Sequence, residues 1–132
     1  MENAHKKILI VDDDIDFLAQ LDINLKAAGF DVITAEGQQA AEDILKETTP
    51  DLAIVDLMME NMDGGFSLAY HIKKKDQSIP VILVTAVASE TGLEFDAATD
   101  EERSWVKADV FLAKPIRFEQ LLREIKKLLK QD

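Results

Sequence analysis

Four short apolar runs in this chain are each followed at once by a group that can act on a cation or a phosphate. Asp12, Asp13 and Asp14 follow Ile8 to Val11, Asp56 follows Leu52 to Val55, Thr85 follows Val81 to Val84, and Lys114, with Pro115, follows Val110 to Ala113. Taken singly, each has a plain structural use. Carboxylates favour a helix N-terminus by about 0.3–1 kcal/mol, an Asp suits a turn, a Thr hydroxyl suits a strand end, and a Lys suits a solvated loop. Brought to one place, they form a chemical set. Asp12, Asp13 and Asp56 would repel one another unless a cation or a proton intervened. Oxygen ligands without His or Cys favour a hard ion, and Mg²⁺ fits best, since it takes one or two carboxylates, keeps several waters and leaves positions for phosphate oxygens. A carboxylate nucleophile, an ammonium point charge and a hydroxyl donor are the tools of phosphoryl transfer. Asp56 is the strongest nucleophile candidate because it stands alone after its run, whereas Asp12 and Asp13 are paired and suited to holding a metal.

The elements that must position these groups follow from the hydrophobic pattern. Five runs read as strands: Ile8 to Val11, Val32 to Ala35, Leu52 to Val55, Val81 to Val84 and Val110 to Ala113. Four are continuously apolar, as in parallel strands covered by helices on both faces; Asp31 to Glu36 is more polar and suits an edge. Between them lie helical periods: Ile15, Leu18, Leu21, Leu25 and Ala28 before Gly29; Ala40, Ala41, Ile44 and Leu45 before Pro50; Phe66, Leu68, Ala69 and Ile72 before Pro80. Phe118, Leu121, Leu122, Ile125, Leu128 and Leu129 make a last apolar stripe, with Arg123, Lys126, Lys127 and Lys130 opposite it or at its end. Strand–helix alternation implies right-handed crossovers and a doubly wound α/β sandwich, whose ligands bind beyond the carboxyl ends of the strands. Val87 to Asp109 departs from this pattern. It holds Gly92, an acidic run, and Thr99 to Glu102 as a capping box, which predicts a helix near Glu101 to Val106.

Composition narrows the function. A length of 132 residues predicts one domain, with no room for a second catalytic or DNA-binding unit. At 47% hydrophobic and 31% charged, the chain is too apolar for a disordered acidic tail. A formal net charge of −11 disfavours duplex DNA and anionic membrane as direct partners and points to proteins or cations. With no Cys, no apolar leader in MENAHKK and no run of membrane-spanning length, a cytoplasmic location is expected. His5 and His71 carry no ligand pattern and read as solvated surface residues, and Trp105 reads as half-buried packing.

Ile8-Leu9-Ile10-Val11-Asp12-Asp13-Asp14, Asp56-Leu57-Met58-Met59 with Met62-Asp63-Gly64, Val84-Thr85-Ala86 and Phe111-Leu112-Ala113-Lys114-Pro115 resemble, in order and separation, the receiver domain of bacterial two-component response regulators. The likeness covers almost the whole chain. It implies a flavodoxin-like five-stranded parallel sheet in the order 2-1-3-4-5, with helices on both faces. It also implies that Asp56 accepts phosphate from the phosphohistidine of a sensor histidine kinase or a phosphotransfer protein. Asp13, Asp56 and the backbone carbonyl of Met58 would hold Mg²⁺ with help from Asp12, and Lys114 would pair with the acyl phosphate in a turn whose Lys114–Pro115 bond is cis. Thr85 would donate to the phosphoryl group, and Phe111 stands at the family's switch aromatic. Three features depart from the family's usual pattern: Glu60 where Pro is usual, Gly64-Gly65 ahead of the third helix, and a 29-position separation of Thr85 from Lys114.

The expected molecule is a single receiver domain spanning residues 1–132 without an output domain. It would be a signalling phosphoacceptor, not a turnover enzyme, and either a monomer or a weak phosphorylation-dependent dimer. A downstream protein would be met through the 87–130 face. Two alternatives stand beside it. One is a degenerate receiver that works by protein interaction without phosphate. The other is a haloacid-dehalogenase-like Mg²⁺-dependent phosphatase with Asp12 as nucleophile, which lacks the acidic pair expected after Lys114.

The residues flanking the phosphoacceptor generate a kinetic prediction. Hydrolysis of an acyl phosphate needs an in-line water, which polar side chains orient and apolar ones do not. Met58 and Val87, two positions beyond Asp56 and Thr85, are apolar. Label on phospho-Asp56 is therefore expected to persist longer in the wild type than in Met58→Asn or Val87→Glu, measured as single-turnover loss of phosphate; equal rates would defeat the argument.

Overall fold

Leu52 to Asp56 is buried at all five positions, and Ile8 to Val11 at all four, which identifies these segments as the centre of a sheet covered on both faces. The computed structural model describes residues 6–56, 64–85, 109–114 and 116–130, with the backbone alone at 64–67 and 85. Among the described residues five strands, β1 (Lys7–Val11), β2 (Asp31–Ala35), β3 (Leu52–Asp56), β4 (Val81–Thr85) and β5 (Val110–Ala113), form one parallel sheet in the order β2-β1-β3-β4-β5. Helices α1 (Ile15–Ala27), α2 (Gln38–Glu47), α3 (Gly64–Lys75) and α4 (Phe118–Leu128) pack on it. The expected order and fold class are what is found. The helix expected near Glu101 to Val106, with Trp105, and the Lys114–Pro115 bond lie outside the described residues, as does His5.

Alternation along each strand splits the core in two. Leu9, Val11, Ala53, Val55, Val81 and Leu83 meet Ala41 and Leu45 of α2 and Leu68, Ala69 and Ile72 of α3 on one face. Ile8, Ile10, Leu52, Ile54, Ile82 and Val84 meet Leu18, Leu21 and Leu25 of α1 and Leu121 and Ile125 of α4 on the other. The buried positions of α1 and α4 recur at three and four residues, the stripe that an amphipathic helix must hide. Two sequence expectations need correction. The apolar spacing puts Ile15 in the buried stripe of α1, but it is 62% exposed, because it opens the helix beyond the carboxyl edge of the sheet. Val110 to Ala113 reads as doubly covered, yet Val110 and Phe111 are half-buried and Ala113 is exposed, because β5 is an edge strand. Asp56 and Thr85 are the last residues of their strands, not the first beyond them.

Local chemistry ends the helices where the sequence predicts. Asp14 caps α1, its carboxylate accepting from the amides of Asp16 and Phe17 at 3.1 and 3.2 Å. Gly29 follows the end of α1 at φ 101°, a left-handed conformation that favours glycine, and turns the chain into β2. Asp109 closes the far side: its carboxylate accepts from Lys73 of α3 at 2.7 Å and from the Val81 amide at 2.8 Å, joining α3, β4 and the start of β5.

Leu121 is fully buried where α4 meets the sheet. Leu121→Ala is expected to lower stability by about 2–5 kcal/mol, read as a drop in the urea midpoint at unchanged slope.

Candidate phosphoryl-transfer site

The carboxyl ends of β1 and β3 are neighbours, with Val11 in register with Val55, so the residues that close these strands meet. Asp12 continues the ladder by one bond, its amide donating to the Ala35 carbonyl at 3.1 Å, and this fixes its backbone beside β2. Its side chain is 1% exposed and that of Asp56 is 5% exposed, whereas Asp13 is exposed. One carboxylate oxygen from each of the three lies within 4.8 Å of the others. At that separation and an effective dielectric constant of about 20, each pair of ionised carboxylates repels by about 3–4 kcal/mol. Lys114 supplies compensation: its Nζ lies 2.9 Å from Asp12 Oδ2 and 4.5 Å from the centroid of the Phe17 ring. Three carboxylates against one ammonium leave two negative charges in excess among these four groups.

The consecutive aspartates divide the work. Asp12 Oδ1 accepts from the Asp14 amide at 2.9 Å while Oδ2 takes Lys114, Asp13 faces outward into the acidic cluster, and Asp14 caps α1. Helix capping thus explains Asp14 but not Asp12 or Asp13. Thr85 ends β4 in register with Ala113, the residue before Lys114, and Asp56 pairs with Val84, so the backbones of all four candidate positions reach the same edge. Phe111 is half-buried against the core beneath α2 and α3. Met58 lies outside the described residues. Phe17 was not singled out in the sequence; its one signal is an aromatic residue just off the buried stripe of α1. His71, read as a solvated surface residue, is exposed, but its Nδ1 lies 3.2 Å from Glu42 Oε2, which also accepts from Gln38 at 2.9 Å, so it ties α3 to α2 away from this edge.

The donor set fits a hard divalent cation. Among the described residues it offers three carboxylates, two of them buried, and a charge excess equal to one such ion.

A parallel sheet in this order, with a paired acidic group, a central-strand Asp and a Lys on its carboxyl edge, is a flavodoxin-like domain. The chain belongs to the response regulator receiver domain family, whose model matches residues 8–126. The heme response regulator HssR of Staphylococcus haemolyticus is 36% identical over 126 residues, covering 95% of this chain and 52% of that protein. The chain spans about half the length of the curated relatives it matches. A CheY-like response regulator receiver domain protein from Methanospirillum hungatei superposes with a TM-score of 0.79 at 26% identity, covering 96% of this chain and 95% of that one. TrrA of Thermotoga maritima, solved in complex with Mg²⁺–BeF, gives 0.75 at 30% identity, covering 93% and 98%. No helix among the described residues is long and apolar enough to cross a membrane.

Millimolar Mg²⁺ is expected to raise the melting temperature by several degrees, since an ion at a hundred times its dissociation constant stabilises by about 2.7 kcal/mol. Asp13→Ala is expected to abolish that shift and, in metal-free buffer, to melt no lower than the wild type because repulsion is relieved. An Mg²⁺-insensitive wild type would count against the site.

Proposed function

We propose that this domain is a Mg²⁺-dependent phosphoacceptor in which Asp56 receives the phosphoryl group from a histidine kinase or a phosphotransfer protein. The observation that carries the reading is the convergence of Asp12, Asp13 and Asp56 within 4.8 Å beside the Lys114 ammonium. A carboxylate oxygen of Asp56 attacks phosphorus, the P–N bond of the phosphohistidine breaks as the P–O bond forms, and neutral imidazole leaves after protonation. Asp12 is the weaker nucleophile candidate because it is one of a consecutive acidic set suited to holding a metal, whereas Asp56 stands alone after its apolar run. Asp13 and Asp56, with Asp12 assisting and the Met58 carbonyl as a further candidate, would hold the cation. The cation supplies charge neutralisation for the phosphoryl oxygens, and the Mg²⁺–BeF complex of TrrA supports its assignment. Lys114 pairs with the acyl phosphate as a point charge.

Signalling follows as a two-state equilibrium biased by the added charge. Thr85 would donate to the phosphoryl group and draw towards it. Phe111 then fills the space left behind, a movement supported by its half-buried place on an edge strand. The 87–130 face would carry the change to a downstream protein.

Acetyl phosphate with Mg²⁺ is expected to add one phosphoryl group, seen by intact mass, and Asp56→Asn to abolish it. Label that survives in Asp56→Asn but is lost in Asp12→Asn would move the nucleophile and support the phosphatase alternative.

A further inference from the structure

Among the described residues Lys114 is the cation seen at this site, and its ammonium reaches the site on a long, flexible stem. β5 is an edge strand, β3 and β4 separate it from β1, and a lysine stem has four rotatable carbons. Its ion-pair partner, Asp12, belongs to the set of carboxylates that fits a divalent ion, so an ion bound there would compete with Lys114 for one carboxylate. The second partner does not enter that competition. The Phe17 ring lies under the ammonium at 4.5 Å, within cation–π range, and a neutral π face has no affinity for Mg²⁺ comparable to a carboxylate's.

Phe17 is itself held. Its amide donates to the Asp14 carboxylate at 3.2 Å, the Asp14 amide donates to Asp12 Oδ1 at 2.9 Å, and Asp12 Oδ2 takes Lys114. Asp12, Asp14, Phe17 and Lys114 thus form a closed circuit of four interactions. The ring also packs against the core that Leu18, Leu21 and Ile125 share, so it is a fixed platform.

We propose that Phe17 is a positioning residue for Lys114, keeping the ammonium at the mouth of the acidic cluster when a divalent cation takes Asp12. This rests on the role given above to Lys114 in phosphoryl transfer. An aliphatic residue of similar bulk would preserve the helix and the core contact but not the electrostatic attraction.

The test replaces Phe17 in the full chain by Leu, by Trp, and by mono-, di- and trifluorinated phenylalanine, which keep the ring while draining its face of negative charge. Two quantities are read in each variant: the NMR shift of the Lys114 ε-methylene in saturating Mg²⁺, assigned by its loss in Lys114→Met, and the rate of labelling by acetyl phosphate. The wild-type methylene is expected upfield from the ring current. Phe17→Leu should return it to the range of a free lysine and slow labelling about three- to tenfold, Phe17→Trp should restore both, and fluorination should slow labelling stepwise at constant melting temperature. On a Lys114→Met background, Phe17→Leu should change nothing further. A flat fluorination series together with an unshifted methylene, while Lys114→Met remains slow, overturns the role of Phe17 alone. Wild-type labelling in Lys114→Met overturns the role of Lys114 and this proposal with it. The NMR arm requires no phosphoryl transfer, so it separates the two failures.

Discussion

The ion pair between Lys114 and a 1% exposed Asp12 carries the carboxyl edge of this sheet. Asp12 is buried while Lys114 is 22% exposed, so removing the lysine would leave an uncompensated charge inside the protein. Here the stake is higher, because Asp56 and Asp13 add their own fields within 4.8 Å. The parallel topology creates the problem by ending β1 and β3 side by side. It also supplies the answer, since β5 ends on the same edge and delivers its lysine there. Charge excess is what suits the edge to a divalent cation. The structure holds that excess in place by burying its two central members among rigid strands.

Rigidity and freedom are distributed accordingly. β1 and β3 are buried on both faces, so Asp12 and Asp56 stand on the least deformable part of the molecule. Phe111 sits on an edge strand with one side half-covered. The proposed switch would use this difference, with chemistry at the centre and movement at the edge. Small displacements are tolerated where packing is incomplete and suppressed where the reacting groups must stay in line.

Much of this was legible in the sequence, and what escaped did so for physical reasons. The strands were visible because doubly covered strands must be apolar throughout, and the helices because one stripe must be hidden. The exposure of Ile15 was not, since hydrophobic periodicity does not reveal that a helix starts beyond the sheet it covers. The half-buried state of β5 was missed for a related reason: Val110 to Ala113 is as apolar as a central strand, and only its place in the order makes it an edge. The triplet Asp12 to Asp14 signals both a cap and a site; the structure puts the cap on Asp14 and leaves Asp12 and Asp13 to the acidic cluster. Phe17 left almost no trace, because its partner is far away in the chain and aromatic contact with a cation has no local pattern.

The separation between Lys114 and Asp12, 102 positions, has a consequence for assembly. Contacts that close so long a loop form late, after nearer strand pairs have offset part of the entropy of ordering. During synthesis the carboxylates of β1 and β3 emerge well before the lysine that compensates them. A chain halted ahead of β5 therefore carries an acidic edge without Lys114, and the finished ion pair ties the end of β1 to the end of β5 as a latch that closes only once β5 has joined the sheet.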